Sequence, residues 1–283
     1  MIFFSVFFPK FSRKMLPIHS SPDELTDGPP MIIGGKRMPP RTHEGPPAAM
    51  SAAEYLSRMF RYRQMDFDYT FAQMVYLCFA PAKVYQLTQY RKRTKGQWAR
   101  DDPGFIVIQA LFLSAAGWGY GICFGETGWD QFRTFVYFIV GHFILVGLIV
   151  SGACIFVADK YLRKSGSAHG VVQSMEWLYS FDVHCNGFFP LFLITYVLQY
   201  LLLPLLYSES IFSVILANCL HTFAVAYYCY IVSLGYKTLP FIDKAEVFMV
   251  PAIVFAAVVL VLCIRGTNLT ILFVEWTSGV LVI

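Results

Sequence analysis

Five unbroken apolar runs set the plan of this chain: Phe105–Phe124, Thr134–Val157, Phe188–Leu206, Ile211–Leu234 and Val247–Ile264. Each holds about 18–24 residues without Asp, Glu, Lys or Arg. A helix rising 1.5 Å per residue needs about 20 residues to cross bilayer hydrocarbon. In lipid the backbone must satisfy itself, so only helices or closed barrels span. These runs are continuous rather than alternating, which excludes barrel strands. The pattern predicts an all-α polytopic membrane protein with five transmembrane helices over residues 104–265.

The polar remainder divides in two. Residues 1–50 carry the pairs Pro29-Pro30, Pro39-Pro40 and Pro46-Pro47 among Gly, Ser and charge, and read as a disordered cytosolic tail. The apolar opening, MIFFSVFF, is too short to span. Residues 51–103 read as a basic helical region. Ser51, with Glu54 three residues on, can cap a helix. Arg58, Arg61 and Arg63 then interleave with Phe60 and Tyr62, and Phe71–Pro81 is apolar but too short to cross. Helices lying on the membrane surface fit this stretch; so does a small cytosolic helical hairpin. Residues 266–283 are expected to form a lumenal tail, with Leu269–Ile283 apolar enough to lie in the interface or re-enter.

Composition agrees with the runs. Of 283 residues, 57% are hydrophobic and 14% charged, against roughly 45–50% and 25% in soluble domains. That excludes a disordered chain, a disulfide scaffold and an ordinary soluble enzyme. The seven Cys form no CxxC pair, and the five inside apolar runs (Cys123, Cys154, Cys219, Cys229 and Cys263) read as small hydrophobes. The net charge of +4 is mild, but its distribution is not: of 22 Lys and Arg, 20 fall on one side of the five spans. The positive-inside rule then predicts a cytosolic N-terminus and a lumenal C-terminus. Asn268-Leu269-Thr270 is a glycosylation sequon just past the fifth run.

Candidate chemistry is sparse. His142, Asn218, His221 and Gln109 sit inside apolar runs, where such groups often bond across helices. Glu176-Trp177 and Phe181-Asp182-Val183-His184-Cys185-Asn186 form the densest polar cluster. Asp182 and His184 could bind a metal or do acid/base work, but two residues apart on a helix they face about 200° apart. No catalytic, metal or cofactor set is assigned. The basic block before the first run suits anionic lipid; RNA phosphates are a weaker alternative, since no RNA-recognition motif accompanies it.

Four blocks resemble the uncoordinated-50 family, also called UNCL. They are Arg61-Tyr62-Arg63-Gln64-Met65-Asp66-Phe67, Tyr90 to Pro103, Phe181-Asp182-Val183-His184-Cys185-Asn186 with Phe188-Phe189-Pro190, and Gly235-Tyr236 with Leu239-Pro240-Phe241. The likeness covers roughly residues 55–265, with Gly187 and Leu178 departing from the family pattern. It implies a non-enzymatic multi-pass protein of the Golgi and early secretory pathway, with the ER or inner nuclear membrane as further locations. It also implies recruitment of an ARF guanine-nucleotide exchange factor, and help in assembling or delivering receptors such as nicotinic acetylcholine receptors. One relative is described as an RNA-binding protein of the inner nuclear membrane. The residues expected to meet a partner are Arg61, Arg63, Gln64, Asp66, Arg91, Lys92, Lys95, Trp98, Arg100, Asp101, Asp102, Asp182, His184 and Asn186. The rival reading is a membrane-embedded enzyme or metal site at Asp182 and His184.

Overall fold

A computed structural model describes residues 65–164 and 175–277. The expected tail at 1–50 and the candidates Arg61, Arg63 and Gln64 lie outside the described residues. Two helices precede the spans. In α1 (Phe67–Phe79) Asp66 is the cap, its Oδ1 accepting the Tyr69 N–H at 3.0 Å. In α2 (Pro81–Lys95) proline fills the first position, where no N–H is needed. Gly96 ends α2 at φ 75°, a conformation that glycine adopts without steric cost.

Five helices long and apolar enough to span follow: α3 (Gly104–Cys123), α4 (Trp129–Tyr161), α5 (Trp177–Leu201), α6 (Ile211–Lys237) and α7 (Ala245–Ile264). They match the five apolar runs and confirm the all-α polytopic class. Segments Tyr137–Leu145 of α4 and Leu193–Leu198 of α5 are π-helical. They face each other: Phe138 meets Tyr196 edge-on at 4.9 Å, and His142 Nδ1 bonds the Tyr196 hydroxyl.

The centre of the bundle is α5. Every residue from Tyr179 to Pro190 is buried. Helix α5 starts at Trp177, not at Phe188 where the apolar run begins, so the Asp182–Asn186 block is helical and inside the protein. Helices α4 and α6 cover it on two sides. Gly187 permits a close approach to α6: a Cβ there would lie 2.8 Å from the Tyr228 ring.

The stretch expected as a tail forms α8 (Leu269–Thr277). Asn268 Oδ1 caps it through the N–H groups of Thr270 (2.9 Å) and Ile271 (3.3 Å). Phe273 packs among Tyr120, Phe138, His142 and Tyr196. A half-buried aromatic side chain packed on these rings holds this end on the bundle.

Candidate functional site

The candidate residues gather at the end of the bundle that carries the basic loops, around the turn from α2 to α3. Two carboxylates of the 176–182 segment capture three consecutive backbone N–H groups of that turn. Glu176 Oε2 accepts from Trp98 at 2.9 Å and Ala99 at 3.0 Å. Asp182 Oδ2 accepts from Arg100 at 2.6 Å. The turn from Gly96 to Asp102 has no ladder of its own, and buried N–H groups need partners. Acceptors almost eighty residues away in sequence supply them.

Arg100 then points inward. Its Nε lies 3.5 Å from Asp182 Oδ1, Nη1 bonds Gln73 Oε1 at 3.3 Å, and Nη2 bonds the Asp182 carbonyl at 3.3 Å. Nη2 also donates to Asn186 Oδ1. The guanidinium sits 4.1 Å from the centre of the Phe105 ring. Arg100, Asp182 and Asn186 are 6%, 7% and 4% exposed. A buried charge must be paired and fully hydrogen-bonded, and this set meets that demand within the protein.

His184 faces away from Asp182. Its Nε2 lies 3.2 Å from the Phe143 carbonyl, and its Nδ1 lies 2.9 Å from the Tyr228 hydroxyl. The carbonyl can only accept, so Nε2 carries the proton and Nδ1 accepts from Tyr228. Both ring nitrogens are occupied on the α4 and α6 side. Asp182 and His184 therefore share no point where a metal or substrate could touch both. Among the described residues no group of three His, Cys, Asp or Glu side chains is placed to hold a metal.

The remaining candidates lie nearer the surface. Lys95 pairs with Asp101 at 2.6 Å, and Lys92 with Glu176 at 3.3 Å. Lys92 also lies 5.4 Å above Trp98, which packs on Tyr179. Asp102 accepts from the N–H of Asp66 and of Gly104, each at 2.9 Å. Arg91 reaches the Tyr69 hydroxyl at 3.4 Å. Tyr85 of α2 donates to the Ile231 carbonyl at 2.9 Å, and burial raises its phenol pKa above the ordinary range. Trp98, Arg100, Asp182, His184 and Asn186 are thus buried, whereas Asp66 and Lys95 are exposed and Arg91, Lys92, Asp101 and Asp102 half-buried. The outward face of α2 is made of Lys83, Gln86, Gln89, Tyr90 and Arg93.

Glu176 and Gln73 were not among the expected site residues. Glu176 had a signal, an acid directly before an apolar helix; it binds the N–H groups of a distant turn rather than those of α5. Gln73 had none, because nothing in its neighbourhood announces that α1 turns its polar side inward.

A sequence model of the UNC-50 family matches residues 55–278. The chain is 44% identical over 227 residues to Protein unc-50 homolog of Dictyostelium discoideum, covering 80% of this chain and 87% of that protein. It is 36% identical over 199 residues to Protein unc-50 homolog of Mus musculus, covering 70% and 76%. The counterpart from Drosophila melanogaster is 33% identical over 259 residues, covering 87% and 93%. No solved structure matches the chain. With the family's pattern matched from residue 55 to 278, and with relatives this similar along most of both chains, this protein belongs to the UNC-50 family.

Proposed function

We propose that this protein is a non-enzymatic membrane platform of the Golgi and early secretory pathway. Its basic end faces the cytosol and recruits an ARF guanine-nucleotide exchange factor, and through it the protein aids delivery or assembly of receptors such as nicotinic acetylcholine receptors. Family membership is the ground for the pathway. The observation that supports the platform is the capture of the 98–100 backbone by Glu176 and Asp182. It ties α2 to the central helix and leaves Gln86, Tyr90 and Arg93 facing outward on a rigid support. Tyr90 is 50% exposed, and an exposed aromatic beside Arg is a common anchor for a protein partner.

The test is proximity labelling from the N-terminus in intact cells, comparing the native protein with a Tyr90→Ala, Arg93→Glu double variant. The expected result is an ARF exchange factor labelled by the native protein and lost with the variant, at unchanged abundance and Golgi location. If the native protein labels no ARF exchange factor, recruitment is refuted.

A further inference from the structure

Helix α1 is apolar on both sides. It buries Thr70 and Gln73 along with Ala72, Met74 and Leu77. It exposes Phe67, Phe71 and Phe79, at 40%, 48% and 84%. Positions 67, 71, 75, 78 and 79 fall on one side of a helix; Val75 and Cys78 complete the stripe half-buried, and the exposed Asp68 shares that side in the first turn. A row of large apolar side chains on a surface marks contact with something apolar.

Three observations say what covers it. The stripe continues the lipid-facing surface of the bundle: Phe71 meets Phe112 edge-on at 6.3 Å, beside Leu111, which is 62% exposed. Phe112 lies eight residues, about 12 Å, into α3. The far end of α1 also lies alongside a span. The Tyr227 hydroxyl donates to the carbonyls of Leu77 (2.9 Å) and Cys78 (3.0 Å), and Tyr227 stands ten residues, about 15 Å, before the end of α6 at Lys237. Finally, the turn between α1 and α2 satisfies part of its own backbone. Ala80 N–H bonds the Tyr76 carbonyl at 2.7 Å, Lys83 N–H bonds the Ala80 carbonyl at 3.0 Å, and Pro81 has no N–H. Backbone in contact with hydrocarbon requires this kind of internal satisfaction.

We propose that α1 and its turn into α2 are half-inserted in the leaflet at the basic end, where phospholipid acyl chains cover the Phe67–Phe71–Phe79 stripe. Lys83 is exposed four residues beyond Phe79, its ammonium 5.2 Å from the Tyr76 ring centre. From there it reaches back toward the phosphates of anionic lipid in that leaflet. The polar outer face of α2 stands above them.

The experiment places p-benzoylphenylalanine at Phe79 in the full chain, reconstituted in vesicles of phosphatidylcholine and phosphatidylserine. Controls carry it at Leu111, on the lipid side of α3, and at Gln86, on the polar face of α2. After illumination, mass spectrometry reads the adducts. Phospholipid adducts at Phe79 as abundant as at Leu111, with background only at Gln86, are the expected result. Equal yields at Phe79 and Gln86, or adducts at Phe79 mainly to a second protein chain, overturn the proposal. In the Lys83→Glu variant the phosphatidylserine share of the Phe79 adducts is expected to fall; an unchanged share removes the headgroup contact. No readout here involves a recruited partner, so this result stands or falls apart from the proposed function.

Discussion

Arg100 ties together three parts of the chain. It bonds Gln73 of α1, Asp182 and Asn186 of α5, and lies on Phe105 of α3. Removing one partner leaves the other charge buried and unpaired, which costs about 3–5 kcal/mol. Arg100→Ala and Asp182→Ala are each expected to lower stability by that amount in thermal unfolding of detergent-solubilised protein. Arg100→Lys should recover little, because an ammonium cannot bridge three acceptors as a planar fork does. An Arg100→Met, Asp182→Leu double variant should unfold closer to the native protein than either alanine variant, since no charge is then stranded. If the single variants unfold like the native protein, the pairing contributes nothing.

Asn268 allows a different prediction. It is 5% exposed, and its amide donates to the carbonyls of Leu206 (2.8 Å) and Ser208 (3.0 Å). Thr270 of the same sequon is fully buried. An acceptor amide spent on two backbone carbonyls has no room for a glycan. The protein from cells should show no mobility change after N-glycan removal, and Asn268→Gln should migrate like the native chain. A shift in either would contradict the capped start of α8.

At the scale of elements, length and apolarity made the spans legible. Each run reaches about 20 residues, and nothing but a spanning helix disposes of so many apolar side chains. The true start of α5 was not legible. Hydropathy stops at Phe188 because Asp182, His184 and Asn186 read as the outside of a membrane. Here protein, not water, surrounds them, and Arg100 neutralises the acid. That Asp182 and His184 diverge followed from helical geometry alone; which neighbours they meet did not, because those come from α4, α6 and the 98–100 turn. Helix α8 was legible only as an apolar stretch able to lie in the interface or re-enter, too short for a further span; its cap is apparent only once Asn268 is seen buried.

The α1 end offers a test at this scale. Tyr227→Phe removes one hydroxyl and strands two helix-terminal carbonyls, worth about 1–3 kcal/mol if they stay buried. Hydrogen exchange should quicken around residues 77–83 while α5 and α6 keep their protection. Unchanged exchange there would mean that Tyr227 does not hold the end of α1.

The whole molecule is organised by charge asymmetry across the spans. Twenty of its 22 Lys and Arg lie to one side, by sequence order, and the described polar network sits at that same end. The fold class was readable from sequence, and so was the end at which the polar residues collect. Which of them face outward was not. A basic or acidic residue that packs inside looks the same in sequence as one that reaches solvent, and Arg100 and Arg93 differ only in where their partners stand.

Because the acceptors of the 98–100 turn come so late in the chain, the order of synthesis matters. Asp182 follows Arg100 by 82 residues, and ribosomes add roughly 5–20 residues per second. Each nascent chain therefore carries an unneutralised arginine beside its first span for about 4–16 s. Tyr227 follows Leu77 by 150 residues, so α1 waits about 8–30 s for its hydroxyl at the same pace. The basic end is the first part of the described chain to be translated and among the last to be completed. A ribosome that stalls before α5 releases a protein whose early helices are all present and whose central charge has nowhere to go.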